Sequence, residues 1–500
     1  MKKKKNILVF MTDQQNAETI YDRSAAITPN IDKFRKRAVR FDNAYTTSPH
    51  CCPSRAGFFS GLYPSQHNVW NNVEVDNTLS RGLFDGIKLF PQSLKEAGYS
   101  TIFAGKWHVS SNEGPLDRGF DKVLREYVSN YGRMEPLNKP YFHDWDEVYD
   151  DKTKIKLDDT KDFGEIIREG YPKYKQFGVE ENPFGDSDTV NLVCKDIKNR
   201  ELDEPFFYYV GTTGPHDPYF PPQRFLDLYK DVKIELPESF ADDMIDKPAL
   251  YRRTRDCFKL TEQEQKESIK RYLAFISYED SLFGQIVDTL EEKGLFDDTY
   301  VMYLTDHGDY LANHRLWAKG LPCFEEAYRI PVLVAGPGLQ KNSSCDSLVS
   351  IVDFAPTILE LANIKQDFKT QGDSLVPLLK GEQPEYWRTE IFTQTNGNEI
   401  YGIQRAVWNK KWKYVLNTFD YDELYDREND PNEMNNIINE DHEDVVKDMC
   451  KKLWKFARQT GDSFTCPYIM VSLAPYGPGI VWEDEDWDPI SSLPGEKTRN

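Results

Sequence analysis

Four stretches of the chain are short apolar runs that end abruptly in polar, reactive residues. They read NILVFMTDQ from residue 6, YSTIFAGKWH from residue 99, PFFYYVGTTGPHDP from residue 205 and TYVMYLTDHGD from residue 299. Short apolar runs without alternation are typical of strands that are buried on both faces, as in a parallel sheet. The pattern therefore predicts four such strands, each followed directly by side chains that can carry chemistry.

Segments with helical periodicity lie between these strands. FPQSLKEAGY from residue 90 is one, and KRYLAFISYEDSLFGQIVDTLEEKG from residue 270, which ends on Gly294, is another. Alternation of strands and helices predicts the α/β class and a doubly wound domain, in which ligands bind at the carboxyl ends of the strands. The polar residues after all four strands would lie at such ends.

The length and charge of the chain narrow the setting. At 500 residues the chain exceeds one ordinary core, so we expect a large domain and a smaller one. Its net charge of -21 argues against nucleic acid, anionic membranes and long polyanions as partners. The start MKKKKNILVF has too short an apolar run for a secretory signal, and no later stretch is apolar enough to span a membrane. We therefore expect a cytoplasmic protein that acts on small molecules.

Two carboxylates, an amide and an imidazole follow the first and fourth predicted strands. Asp13 and Gln14 follow the first, and Asp306 and His307 follow the fourth. Each alone is more typical of a turn or a helix cap than of catalysis. Together they can hold a divalent cation with one position open. The lysine and histidines after the other two strands would then surround an anion held against the metal.

The segment CCPSRAGFFSG, residues 51 to 61, resembles the sulfatase signature C-x-P-S-R followed by x4-[ST]-G. In that family a separate maturation enzyme oxidises the cysteine to formylglycine, and proline stands two positions after it. The register therefore selects Cys51 for conversion and leaves Cys52 in the variable position. The resemblance implies that one hydroxyl of the hydrated aldehyde attacks sulfur, and that loss of a proton from the other expels sulfate.

Further segments resemble the sulfatase family in the family's order, from residue 6 to about 440. They read TPNIDKF, GKWH, TDHGDYLANHRLWAKG, FEEAYRIPVLVAGPG, IVDFAPTILELA and ELYDRENDPNEMNNI. The implied fold is the alkaline-phosphatase-like α/β sandwich, with a large mixed, mainly parallel sheet. A smaller C-terminal α+β domain with a short antiparallel sheet would follow it. We place the catalytic domain at residues 1–375 and the smaller domain and tail at residues 376–500.

The resemblance also implies roles for individual residues. The metal ligands would be residue 51 together with Asp13, Gln14, Asp306 and His307. Lys106 and Lys319 would hold sulfate oxygens, while Arg55 would steady the charged nucleophile. His108 would be a base for the second step and His216 would protonate the leaving oxygen. His314 would be either an outer-sphere residue or a structural one.

Several alternatives stay open at this point. Many sulfatases have a second Asp in place of Gln14 and an Asn in place of His307, and this pair resembles the branch with choline sulfatases and phosphonate monoester hydrolases. Calcium is the expected ion, with manganese or another transition ion as the alternative, because imidazole is a softer ligand. The expected reaction is hydrolysis of a sulfate ester on a small carbohydrate. A phosphonate monoester or phosphodiester hydrolase, and a binding protein without catalysis, are the alternatives.

Two segments have no clear periodicity. The stretch 125–185 is rich in Tyr, Asp and Lys and is interpreted as a specificity loop over the pocket, with surface packing as the alternative. The tail from residue 466 is apolar and then acidic, and would pack on its own domain or on a second subunit of a homo-oligomer.

Overall fold

The computed structural model describes residues 4–75, 78–127, 178–201, 204–256, 260–398 and 400–463, with short pieces at 165–166, 174–175, 477–478 and 480. Its strands are β1 (Asn6–Thr12), β2 (Val39–Tyr45), β3 (Ser100–Lys106), β4 (Lys122–Tyr127), β5 (Glu165–Ile166), β6 (Tyr174–Lys175), β7 (Phe206–Gly211), β8 (Thr299–Thr305), β9 (Val332–Ala335), β10 (Ser343–Ser350), β11 (Ile391–Gly397), β12 (Tyr401–Trp408), β13 (Trp412–Asn417) and β14 (Glu423–Asp426).

The α-helices alternate with these strands up to β10 and continue beyond them. They are α1 (Pro29–Arg35), α2 (Cys51–Ser60), α3 (Pro64–His67), α4 (Phe90–Glu96), α5 (Asp186–Asn199), α6 (Gln223–Leu226), α7 (Ala249–Asp256), α8 (Glu262–Glu292), α9 (Glu325–Tyr328), α10 (Phe354–Leu361), α11 (Val376–Leu379) and α12 (Glu443–Gln459). The predicted helix from residue 270 is α8, which begins eight residues earlier because Thr261 and Glu264 form a capping box at its start.

The central sheet has eight strands in the order β10-β2-β9-β8-β1-β7-β3-β4. The four strands expected from the sequence are the adjacent strands β8, β1, β7 and β3, and all of them run parallel. Strand β9 pairs antiparallel with both β2 and β8, so the sheet is mixed but mainly parallel. The predicted fold class is confirmed, and four reactive strand ends meet at one edge of the sheet.

Both faces of this sheet are covered by helices. Ile7, Val9 and Met11 of β1 pack in one buried cluster that includes residues of α2, α4 and α10. The alternate residues Leu8 and Phe10 pack in a second cluster with residues of α5 and α8. Side chains of one strand therefore alternate between two buried layers, which explains why the run in β1 is apolar throughout.

A second sheet of four antiparallel strands, β11-β12-β13-β14, follows the large one in the chain. Helix α12 covers it with Met449, Leu453 and Trp454. Its first strand also contacts the large domain, because the Gln394 N–H donates to the carbonyl of Thr47 at 2.9 Å. The short antiparallel sheet is as predicted, while the boundary near residue 376 stays a prediction.

Gly105 brings two strands of the large sheet unusually close. Its φ is +102°, and a Cβ at this position would lie 1.8 Å from the carbonyl oxygen of Gly211 on β7. Only glycine can satisfy both conditions. The ends of β3 and β7 therefore approach each other closely just before Lys106 and the loop that carries His216.

Most of the proposed specificity loop at 125–185 lies outside the described residues, as does nearly all of the tail from residue 466. Both interpretations stay predictions. Among the described residues, no helix combines the length and the apolar character that a membrane span requires. The cytoplasmic location and the homo-oligomer also stay predictions.

Candidate active site

The site is built at the carboxyl edge of the four central parallel strands. Asp13 follows β1, Lys106 ends β3, and Asp306 follows β8. Helix α2 begins at Cys51 and directs its first turn to the same edge, with Pro53 in that turn, where its missing N–H leaves no bond unmade. The expected convergence of these residues is present.

Four potential metal ligands lie together in the buried centre of the site. One ligand atom from each of Asp13, Cys51, Asp306 and His307 lies within 4.8 Å of all the others. The Cys51 Sγ is 3.2 Å from Nε2 of His307 and 3.7 Å from Oδ1 of Asp13. The same Nε2 is 3.8 Å from Oδ1 of both aspartates. Neighbouring ligands of an ion bound at about 2.4 Å are separated by about 3.4 Å, so this set fits a divalent ion with small movements.

The fully buried Arg55 orients both carboxylates. Its Nη2 donates to Oδ2 of Asp13 at 2.9 Å, and its Nε donates to Oδ2 of Asp306 at 2.8 Å. Its Nη1 donates to the carbonyl of Lys106 and to the Tyr209 hydroxyl, at 3.0 and 2.9 Å. Because Arg55 holds the two Oδ2 atoms, the two Oδ1 atoms face the cluster. Arg55 therefore positions the ligands from behind.

The ring of His307 is oriented for a metal. Its Nδ1 lies 2.9 Å from the carbonyl oxygen of Gly308, which can only accept, so Nδ1 carries the proton. The lone pair of Nε2 is then directed toward the cluster, in the arrangement that metal-bound histidines commonly use. Although burial opposes it, Asp306 raises the pKa of His307 above its usual value, so positive charge is favoured at this point.

Charge in the buried centre is nearly balanced. Burial and the nearby Cys51 oppose ionisation of Asp13, but Lys106, His216 and Arg55 hold its pKa well below the usual range. Burial and the charge of Asp13 raise the pKa of Asp306. Arg55 and Lys106, whose Nζ lies 2.7 Å from Oδ2 of Asp13, offset the two carboxylates. An added divalent cation would leave this pocket positive and therefore suited to an anion.

Gln14 connects the metal cluster to Lys319 through hydrogen bonds of its backbone and its side chain. Its φ of 62° is in the left-handed region, which is uncommon outside glycine and frequent at functional sites. Its backbone N–H donates to Oδ1 of Asp306 at 3.1 Å, while its side-chain oxygen accepts from Nζ of Lys319 at 2.7 Å. Lys319 also lies 2.7 Å from Nε2 of His216. The predicted residues Gln14, Lys319 and His216 therefore form one connected group.

A second group of side chains surrounds His108, in the loop that follows β3. Nε2 of His108 makes a short hydrogen bond with Oε2 of Glu74, and the Cys52 Sγ is 3.8 Å from the same oxygen. Although burial opposes it, Cys52 and Glu74 raise the pKa of His108 well above its usual value. Nδ1 of His108 makes no hydrogen bond within the described part of the chain. His108 is therefore held through one ring nitrogen, and the other is left for a reacting group.

Three residues of the site were missed by the sequence analysis. Asp309 and Asp217 accept from the side-chain nitrogen of Gln14 at 2.7 and 3.2 Å. Both stand within polar stretches that follow predicted strands, so the sequence held a signal for them. Glu74 stands in the irregular segment after α3 and had no such signal.

His314 takes the structural alternative. Its Nδ1 lies 2.7 Å from Oδ2 of Asp242, and its ring stacks on Phe324 with centroids 3.6 Å apart. Burial lowers its pKa. It ties the segment after β8 to residues 239–242 and packs in the core.

Comparison with known proteins identifies the class. The family model described as Sulfatase matches residues 5–364, and the model described as N-sulphoglucosamine sulphohydrolase, C-terminal, matches residues 312–459. The chain belongs to the sulfatase family and is a sulfuric ester hydrolase. It is 31% identical to the choline-sulfatase of Rhizobium meliloti over 454 residues, which cover 87% of this chain and 82% of that protein. Family membership favours catalysis over a binding protein that keeps only the fold.

Two solved structures support the fold. The phosphonate monoester hydrolase of Agrobacterium radiobacter superposes with a TM-score of 0.73 at 18% identity, covering 91% of this chain and 96% of that one. A 2-O GAG sulfatase superposes with a TM-score of 0.72 at 22% identity, covering 92% and 94%. The alkaline-phosphatase-like architecture is therefore shared with enzymes that act on sulfur and on phosphorus esters.

Proposed function

We propose that the chain hydrolyses sulfate esters of small carbohydrates, with a formylglycine derived from Cys51 as the nucleophile. The position of Cys51 supports this most directly. It is the first residue of α2, and its sulfur lies against Asp13 and His307 at 3.7 and 3.2 Å. Burial opposes ionisation of Cys51, but Lys106, Lys319 and His307 lower the pKa of its thiol well below the usual value. These surroundings stabilise a negatively charged atom on residue 51.

Asp13, Asp306 and His307 would hold one divalent ion, with Gln14 beside them. When bound, the ion would lower the pKa of a hydroxyl on residue 51 and so supply a nucleophile at neutral pH. The two carboxylates favour calcium, while the imidazole makes manganese the second choice. The side-chain oxygen of Gln14 accepts from Lys319 and would become a third oxygen ligand only by leaving that lysine. The conversion of Cys51 requires a formylglycine-generating maturation enzyme as a transient partner.

The cationic residues of the pocket would bind the sulfate group. Lys106 and Lys319 both lower the pKa of the Cys51 thiol, so the charges of both ammonium groups act on residue 51. Because Lys106 also pairs with Asp13, it is held in position before a substrate binds.

Two histidines would transfer protons at defined atoms. Nε2 of His216 accepts a hydrogen bond from Nζ of Lys319 at 2.7 Å, so it would first take a proton from Lys319 and then deliver it to the leaving oxygen of the ester. Once the ring keeps a single proton, on Nε2 against Glu74, Nδ1 of His108 would take the proton of the second hydroxyl on residue 51. Because its neighbours raise the pKa of the ring, this form is favoured as the pH rises. The two histidines would thus serve different steps.

Hydrolysis of phosphonate monoesters or phosphodiesters is the second candidate. Gln14 and His307 are compatible with it, because the sequence resembles at these two positions the branch that contains both phosphonate monoester hydrolases and choline sulfatases. Kinetics on an aryl sulfate and on an aryl phosphonate monoester, measured with one enzyme preparation, separate the two. A kcat/KM that is higher for the phosphonate by tenfold or more would reverse the order of the candidates.

The same enzyme preparation also tests whether residue 51 is the nucleophile and whether small substrates are preferred to polymers. Mass spectrometry of the peptide that contains residues 51 and 52 should show conversion of Cys51 after coexpression with the maturation enzyme. Sulfate release from a sulfated disaccharide should exceed release from the intact polymer at equal sulfate concentration, because the net charge of -21 repels a polyanion. Turnover by fully unconverted protein would contradict the proposed nucleophile.

A further inference from the structure

Cys52, Glu74 and His108 form a second group of metal-ligating side chains. One ligand atom from each lies within 4.8 Å of the other two. They come from three separate segments: the first turn of α2, the irregular stretch after α3, and the loop after β3. None of the three belongs to the cluster of Asp13, Cys51, Asp306 and His307. We propose that this group is a second metal site, selective for zinc-like ions, whose occupation inhibits the enzyme.

The chemistry of the three ligands favours zinc over calcium. A thiolate, an imidazole nitrogen and one carboxylate oxygen are the ligand types that zinc binds tetrahedrally, with the fourth position left to water. The 3.8 Å between Sγ of Cys52 and Oε2 of Glu74 is close to the edge of a zinc tetrahedron, about 3.6 Å. The His108 ring, now in direct contact with Glu74, would withdraw by about 1 Å. Calcium, which prefers oxygen ligands, has the better site at the cluster with Asp13 and Asp306.

The surroundings of the group suit a metal site. The backbone N–H of Val73 donates to Sγ of Cys52 at 3.3 Å, which is the kind of outer-sphere bond that stabilises a bound thiolate. The side chains of His108 and Glu74 are 15% and 20% exposed, so an ion can enter from solvent. The segment that carries Glu74 is fixed at Asn72, whose N–H donates to Oδ1 of Asn398 in the C-terminal part at 2.9 Å.

The inhibitory effect follows from the two nitrogens of His108 and rests on the proposed function. Without a metal, the ring keeps one proton on Nε2 against Glu74 after Nδ1 has given up its own, so the lone pair of Nδ1 can accept a proton from residue 51. A zinc ion that binds Nε2 displaces the proton of that nitrogen and uses its electron pair, so the neutral ring keeps its one proton on Nδ1. Nδ1 is then unable to act as a base. Metal binding would also displace the thiol proton of Cys52.

Binding is tested first, without any reference to turnover. Cobalt(II) is added to a Cys51→Ser variant saturated with calcium, and the thiolate-to-cobalt absorption band is recorded. We expect the band to saturate at one cobalt ion per chain, bound by the thiolate of Cys52. The band should not change when Cys345→Ala is added to the variant, which is the control for an unrelated thiol. The band should vanish in Cys51→Ser/Cys52→Ala and weaken in Cys51→Ser/Glu74→Gln. Absence of the band in Cys51→Ser, or its survival in the double variant, would overturn the site.

Inhibition is tested with the mature enzyme in excess calcium. Zinc should inhibit the wild-type enzyme on an aryl sulfate, and the inhibition constant should rise by tenfold or more in both Cys52→Ala and Cys52→Ser. These variants should keep most of the activity measured without zinc. Equal inhibition of wild type and variants would show that zinc acts at the other cluster and would overturn the inhibitory role. If no sulfate ester is turned over, the proposed function fails, while the cobalt spectrum still decides the metal site.

Discussion

Cys51 and Cys52 are neighbours in the chain, but their sulfur atoms have opposite surroundings. Sγ of Cys51 faces His307 and Asp13, and the lysines beside it help to lower the pKa of its thiol despite burial. Sγ of Cys52 faces Glu74, and burial raises the pKa of its thiol to about 11. One cysteine lies where negative charge is stabilised, and the other lies where it is opposed.

The difference shows how much one step along a helix changes. Successive residues of an α-helix point about 100° apart, so the first two residues of α2 face two different walls of the pocket. The wall near Cys51 is made of the ends of β1 and β8. The wall near Cys52 is made of irregular segments that carry Glu74 and His108. The surroundings of the thiol therefore suit the proposed nucleophile at one position and the proposed second metal site at the other.

The largest expected effect separates the two cysteines. Cys51→Ala should lower the rate of aryl sulfate hydrolysis by about 10⁴-fold or more, because the nucleophile is lost. Cys52→Ala should retain most of the rate. Turnover and thermal unfolding are measured for both variants, so that loss of the fold is distinguished from loss of chemistry. If Cys52→Ala were inactive and Cys51→Ala active, the assignment of the two cysteines would be reversed.

A second prediction concerns the wall that faces Cys51. Asp306→Asn should lower affinity for the divalent ion by more than about tenfold, and the rate with it, because an anionic ligand is lost. Metal content after dialysis and the calcium concentration needed for half-maximal rate are the measurements. Asp367→Asn, at an exposed carboxylate that pairs with Lys88, is the matched control. Full metal content in Asp306→Asn would contradict the proposed ligand set.

A third prediction concerns the wall that faces Cys52. His108→Asn should lower kcat by about 10²-fold or more, the usual contribution of a general base. Glu74→Gln should lower kcat less, since the ring stays in place but its ring proton is held less firmly. Neither variant should change the metal content of the cluster at Asp13. Loss of the metal from either variant would show that the two walls are not independent.

The smallest expected effect is on stability. Cys52 is fully buried in the cluster under α2, so Cys52→Ala removes packing and should lower the free energy of unfolding by about 1 kcal/mol. Urea unfolding of wild type and variant measures it. A much larger loss would mean that Cys52 is retained for packing alone, and the proposed metal site would lose one reason for its cysteine.

The central sheet could be predicted because its signal is local. Each of the strands β8, β1, β7 and β3 is a short apolar run, and the residues that follow them meet because parallel strands share one carboxyl edge. Strand β9 was not expected. It is only four residues long, and its antiparallel pairing with β2 and β8 depends on partners far away in the chain.

The wall that faces Cys52 could not be predicted for the same physical reason, because it depends on contacts between distant parts of the chain. Glu74 reaches His108 from an irregular segment, and that segment is fixed by Asn398, which is 326 positions from Asn72. No periodicity or motif encodes such a contact. Arg55 could be predicted only in part. The signature marks its position, but only the structure shows that it holds two carboxylates at once.

The tight approach at Gly105 has a consequence for how the motif GKWH is understood. Lys106 and His108 act through charge, whereas Gly105 acts through the absence of a single carbon atom. A methyl group there would push β3 away from β7 at the carbonyl of Gly211, and would move the lysine relative to the loop with His216. The spacing between Lys106 and the loop that carries His216 thus depends on an inert residue that no substrate need touch.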